Sequence, residues 1–224
     1  MRTGFTPEIR DQIRQGAVDS ADVVVPLLLD EFPEARRIID VGCGEGWWTR
    51  RFAQAPLVSA VGVDLDAPAE PEPDVEFLRF DLTQPLVPLI DERFDLAVSL
   101  EVAEHLPAPR AAGFVKDLCT LAPVVVFSAA IPGQGGTGHL NEQPPAYWAA
   151  LFKANGFVTS GYLRWRIWDD GRVENWYRQN LLVAFSDDAQ IDYTVDRGRG
   201  AWEDVMGDAP PRFVVHPVLF DARR

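Results

Sequence analysis

The chain has 224 residues, 47% hydrophobic and 25% charged, a composition that suits one globular domain with a sizeable core. Its formal net charge of −13 repels phosphate backbones and anionic lipid heads, which argues against nucleic acid as a substrate. No apolar run reaches the roughly 18–20 residues of a membrane span, and MRTGFTPEIRDQIRQG has no signal-peptide core. Cys43 and Cys119 have no metal-type spacing and read as reduced thiols of a cytoplasmic protein.

In chain order, residues 6–31 read as helical, with Pro26 as a break and Asp19 or Ser20 capping the second segment. RRIIDV (36–41) is a buried strand, followed by a helix over 46–54. LVSAVGVD (57–64), VEFLRFD (75–81) and FDLAVSL (94–100) are the second, third and fourth strands. PRAAGFVKDLCTL (109–121) is a helix, PVVVFSAAI (123–131) the fifth strand, and PPAYWAALFKANGF (144–157) a helix ending on Gly156. Short apolar strands alternating with helices imply a parallel sheet covered on both faces. GFVTSGYLRWRIW and VENWYRQNLLVAF are two strand-like runs around the turn signal DDGR, so an antiparallel hairpin closes the sheet. The stretch Arg164 to Arg178 mixes bases with acids and reads as a solvated face. The division that follows is one domain over 1–186 and a C-terminal extension over 187–224, packed on the same domain and carrying the apolar patch RFVVHPVLF.

The loop after the first strand, DVGCGEGWWT, places Gly42, Gly44 and Gly46 where ligands bind in open α/β sheets, beyond the carboxyl ends of the strands. Glycine permits positive φ and close approach of a ligand, and the helix starting near Trp47 aims free amides into the same space. The G-x-G-x-G spacing has Trp47 where a dinucleotide loop has its third glycine, so a smaller nucleoside fits better than a pyrophosphate. The second strand ends in Asp64, at the position from which a carboxylate reaches ribose hydroxyls, with Asp66 close by. The third ends in Asp81-Leu82, where a carboxylate can accept from an adenine amino group. Acids at successive strand ends match a nucleoside that carries positive charge.

On these residues the chain resembles the class I S-adenosylmethionine-dependent methyltransferases over roughly residues 20–186. The resemblance implies a Rossmann-like, seven-stranded, mostly parallel sheet of order 3-2-1-4-5-7-6, with helices on both faces and the seventh strand antiparallel. FDLAVSLEVAEHL, FSAAIPGQGGTGHLNEQPPAYWAALF and WYRQNLLVAF are similar to bacterial methyltransferases found near sugar and secondary-metabolite pathways. The chain departs from that group at Pro144-Pro145, where the group carries Trp-Pro. The resemblance implies that Asp40 orients the loop and meets the methionine amino group, and that Gly42, Gly44 and Gly46 line methionine and ribose. It further implies that Asp64 binds the ribose, that Asp81 and Leu82 hold the adenine edge, and that Glu101 faces cofactor or acceptor.

A hydroxyl acceptor also needs a base, and the chain has three histidines: His105, His139 and His216. His105 follows EVAE beyond the fourth strand, with capping of a short helix as its alternative role. His139 lies with Asn141 and Glu142 in GQGGTGHLNEQ, a loop suited to a lid, with capping of the next helix as the alternative. Trp47 and Trp48 divide between core packing and covering the cofactor, while the late aromatics from Tyr147 to Tyr177 are either core or a stacking surface for the acceptor. No His/Asp cluster is left over for a metal. The expected activity is methylation of a small-molecule hydroxyl, with an amine acceptor, a non-catalytic cofactor-binding protein and a nicotinamide oxidoreductase as alternatives. No nucleic acid or membrane partner is expected, and a homodimer is compatible with the reading.

Overall fold

The computed structural model describes residues 7–69, 75–86 and 90–186; the tail, with RFVVHPVLF and His216, lies outside them. A first helix, α1 (Pro7–Glu31), precedes a sheet built from β1 (Arg37–Val41), β2 (Ser59–Asp64), β3 (Val75–Arg79), β4 (Leu96–Leu100), β5 (Val124–Ser128), β6 (Phe157–Ser160) and β7 (Leu182–Ser186). The sheet order is β3-β2-β1-β4-β5-β7-β6, as the resemblance implied. The first five strands are parallel to one another, and β7 runs antiparallel to both β5 and β6. The strands of β1, β4 and β5 are buried almost throughout because helices cover both faces. Helices α2 (Trp47–Ala53), α3 (Ala111–Leu121) and α4 (Pro145–Lys153) occupy the crossovers. Among the described residues, no helix is long and apolar enough to cross a membrane.

Four local expectations are corrected. α1 runs unbroken through Pro26. The lost amide and ring clash cost about 3 kcal/mol. Against this, Val24, Val25 and Leu28 are fully buried under the sheet, each worth about 1.5–3 kcal/mol, so tertiary burial holds the helix together. Ser20 is no cap: its hydroxyl donates to the Gly16 carbonyl inside the helix and accepts the Glu174 amide.

The late runs do not meet in a hairpin turn. β6 and β7 do pair, but helices α5 (Tyr162–Ile167) and α6 (Asn175–Asn180) lie between them. Nor is Arg164–Arg178 a solvated face, since Arg164, Ile167, Val173 and Tyr177 are buried. These residues pack, with α1, on the face of the sheet that carries Ile38, Val98 and Val183. The alternation that suggested strands in this segment therefore reflects burial of short helices.

Candidate functional site

The glycine loop is bound to the ends of β1 and β2. Gly42 and Cys43 amides donate to the Val63 carbonyl at 2.7 and 3.2 Å, and the Gly46 amide closes a turn on the Cys43 carbonyl at 2.8 Å. All three glycines have positive φ: 89°, 53° and 81° at Gly42, Gly44 and Gly46. Their reasons differ. A Cβ at Gly42 would meet Val102 at 2.3 Å and one at Gly46 would meet the Phe77 ring at 2.4 Å, whereas a Cβ at Gly44 meets nothing within 4 Å. Two of the glycines thus make room for the protein's own side chains, and only Gly44 opens on free space.

Two of the expected carboxylates are tied to the loop and the helix that follows it. Asp64 Oδ2 accepts the Gly44 amide at 3.0 Å, and its Oδ1 accepts the Asp66 amide at 2.8 Å. Asp40 is 5% exposed and accepts the Thr49 hydroxyl at 2.7 Å. Burial, resisted by the Thr49 hydroxyl and reinforced by the nearby Asp64 charge, pushes the Asp40 pKa up to about 7. Burial also raises the Cys43 thiol well above its ordinary value, which makes it a poor nucleophile. Neither it nor Cys119 is in a disulfide.

Asp81 lies at the surface, where the Thr83 amide and hydroxyl lower its pKa. Leu82 is buried in the core, and its carbonyl accepts Arg110 Nε at 3.0 Å. Trp48 packs edge-on against Tyr177, with centroids 5.2 Å apart, and belongs to the core. Trp47 instead carries the Arg50 guanidinium over its ring at 5.2 Å.

Glu101 has φ of 55°, rare for a residue with a side chain. Its amide is held by the Ser128 carbonyl and hydroxyl, at 3.0 and 3.1 Å. The carboxylate accepts Asn180 Nδ2 at 3.0 Å and Gln134 Nε2 at 2.9 Å. Burial raises its pKa, and these donors oppose the rise. Ser128, Gln134 and Asn180 carry no sequence signal for this role, because the fold brings them together from three separate elements.

The turn after β4, Ala103–His105, is clamped to the glycine-rich loop. The Glu104 carbonyl accepts the Leu140 and Asn141 amides at 2.7 and 3.0 Å. This brings the rings of His105 and His139 edge to face, with centroids 4.8 Å apart. His105 Nδ1 faces the Gly138 carbonyl at 3.3 Å, and His139 Nδ1 faces Glu142 Oε1 at 2.9 Å. Glu142 also accepts the Gly133 and Gly135 amides. It therefore organises the loop rather than capping α4, whose N-cap residue Pro144 supplies no side-chain bond. Burial, and next the His139 charge, lower the His105 pKa and favour its neutral form.

Glu104 is fully buried, and neither carboxylate oxygen has a hydrogen-bond partner. Burial and the adjacent Glu101 carboxylate push its pKa up to about 9. Ligand atoms of Glu104, His105 and His139 lie within 4.8 Å of one another. The sequence reading found no such cluster: Glu104 and His105 come from one loop and His139 from another, and only the fold closes the distance.

Residues 14–129 match a family model described as a methyltransferase domain. A search of curated protein sequences gave no match. Among solved structures, the magnesium protoporphyrin IX methyltransferase of Synechocystis PCC 6803, with bound SAH, is similar at TM-score 0.59 and 20% identity over 82% of this chain and 89% of that one. A sugar N-methyltransferase from Streptoalloteichus sp ATCC 53650 is similar at TM-score 0.59 and 18% identity, covering 83% of this chain and 98% of that one. An amino pentose methyltransferase from Micromonospora echinaspora, bound to SAM, gives 0.55 and 17% over 83% and 99%. With more than half its length matched by the family model and the sheet order of the class I fold, the chain belongs to the methyltransferase-domain family.

Proposed function

We propose that the chain methylates a hydroxyl of a small molecule, a sugar or natural product, using S-adenosylmethionine as donor. The observation that carries the acceptor assignment is the orientation of the two imidazoles. A carboxylate and a carbonyl can only accept, so His139 and His105 both hold their proton on Nδ1. In the neutral ring each Nε2 then keeps a lone pair, which is what a base needs to take a hydroxyl proton. Glu142 fixes His139 as a carboxylate fixes the imidazole of a catalytic triad. A positioned base of this kind contributes about 10²–10⁴ in rate.

The donor's residues fit the site on one further observation, the open space over Gly44, which any side chain would fill. S-adenosylmethionine supplies a methyl group already activated on a sulfonium. Asp64 is the residue for the ribose hydroxyls, Asp40 for the cationic amino end, and Asp81 and Leu82 for the adenine edge. Gly42 and Gly46 set the loop, Gly44 lets the ligand approach it, and Glu101 supplies a half-buried carboxyl group near the transferred group. Holding the acceptor in line can supply on the order of 7–11 kcal/mol.

An amine acceptor is the second reading, favoured by the half-buried Glu101 and the buried Glu104, whose carboxyl oxygens can accept hydrogen bonds from an amine. Two similar structures are described as a sugar N-methyltransferase and an amino pentose methyltransferase. Incubation with labelled donor and a panel of sugar and aromatic alcohols and their amino counterparts, read by mass spectrometry, tests both. Labelled methyl ethers support the proposal, methylamines support the second reading, and cofactor binding without turnover on either panel overturns both.

A further inference from the structure

We propose that Glu104, His105 and His139 bind a divalent transition-metal ion at the acceptor end of the site. The ligand atoms come from a short turn and a neighbouring loop that backbone bonds hold together, and all lie within 4.8 Å of one another. Two imidazoles and one carboxylate are the donor set of open, three-ligand zinc-type sites.

The arrangement around the donors is the stronger argument. Imidazoles that ligate through one nitrogen almost always donate the other ring N–H to a carboxylate or carbonyl. Here both do, His139 to Glu142 and His105 to Gly138, and both leave Nε2 for a ligand. Glu104 supplies an independent sign. It has no exposure, and neither oxygen has a donor in good hydrogen-bond geometry, with Glu101 and the Ala130 backbone close by. A buried carboxylate is costly unless it is neutralised, by a proton in the metal-free protein or by a cation that displaces that proton and lies between it and the imidazoles.

An ion with bonds of about 2.1 Å in tetrahedral geometry needs ligand atoms roughly 3.4 Å apart, so the cluster must draw in. The loop bearing His139 carries Gly133, Gly135, Gly136 and Gly138, and can supply that movement. Three protein ligands leave a position for a further group. An acceptor hydroxyl taking that position would lose its proton to solvent at lower pH than when free. Binding rests on the ligand geometry alone; this role in transfer rests on the methyl transfer proposed above and takes the place of the imidazole base, since an Nε2 that ligates a metal cannot also accept a proton.

The test is titration of the full chain, freed of metal by chelator, with Co(II) read by visible absorption and with Zn(II) by calorimetry. We expect saturation at one equivalent, at least tenfold weaker binding in Glu104→Gln and His139→Asn, and a loss of about 10- to 100-fold in Glu142→Gln, which weakens the partner of a ligand together with its hold on the Gly133 and Gly135 amides. Glu92→Gln, at an exposed acid, should bind as wild type. His139→Asn changes a surface loop, so it remains informative if Glu104→Gln fails to fold. No saturable uptake, or uptake unchanged in both ligand variants, overturns the proposal. S-adenosylhomocysteine binding is measured in the same samples: metal uptake without it overturns the methyl-transfer reading alone, and the reverse overturns the metal site alone.

Discussion

Asp64 reaches back twenty positions to hold the Gly44 amide at 3.0 Å, so the carboxylate proposed for the ribose also shapes the glycine loop. Asp64→Ala removes both effects and should weaken S-adenosylhomocysteine binding by about 10- to 100-fold, on the scale of one or two charge-assisted hydrogen bonds. Glu142→Ala, at the other end of the site, should leave that affinity within about threefold and reduce turnover instead. Calorimetry on the two variants decides the matter, and equal losses would mean that Asp64 has been given the wrong role.

The glycines separate in the same way. Gly46→Ala would drive a methyl group into the Phe77 ring at a φ of 81°. It should cost about 2 kcal/mol or more, roughly 4–8 °C in Tm for a chain of this size. Gly44→Ala meets no neighbour, so it should lower Tm by only a few degrees while cutting cofactor affinity more than Gly46→Ala does per degree lost. Thermal melts with and without S-adenosylhomocysteine distinguish a packing defect from a binding defect.

Burial lifts the Asp40 pKa to about 7, so the free protein holds a proton there below neutrality. A cationic ligand favours the ionised form and must displace that proton. Affinity for S-adenosylmethionine should therefore rise as pH increases from about 6 to 8, with net proton release near pH 7. Calorimetry in two buffers of different ionisation enthalpy measures the release. Asp40→Asn should abolish it and flatten the pH profile.

For Glu104 the linkage acts on stability. Its folded pKa of about 9 lies above the ordinary value for a glutamate, so between those limits the native state holds a proton that the unfolded chain has released. Stability of the metal-free protein thus falls as pH rises through that window. Glu104→Gln removes the titration and should raise Tm more at pH 8.5 than at pH 5. The gain should be on the order of 2–4 kcal/mol at the higher pH. Parallel melting curves at the two pH values would overturn this.

Much of the architecture was legible because its signals are local. The apolar runs of β1, β4 and β5, the glycine loop and the acid ending β2 each report on themselves, and the sheet order follows from the resemblance they support. Failures came where tertiary burial overrode local signals. Pro26 reads as a break until the buried face of α1 is seen, and YLRWRI reads as strand until Leu163, Arg164 and Ile167 are seen to face one core. The environment of Glu101 was illegible for a different reason. Its partners Ser128, Gln134 and Asn180 are distant in sequence, and nothing in a linear pattern links them. Glu104 lies in plain view inside EVAEH, but its isolation from donors is a property of the folded interior.

The register of β5 against β7 has a consequence for how such chains can be cut. Val124 through Phe127 pair with Leu182 through Phe185, beyond the last residue that the family model matches. A fragment stopped at residue 129 would retain the glycine loop, Asp64 and Glu101. It would also turn a central strand into a bare, apolar margin and strip α1 of Leu163, Val183 and Phe185. Such a margin invites pairing with other chains. The crevice is thus portable as a pattern of residues but not as a soluble piece, and its last strand is what allows the first five to exist in water.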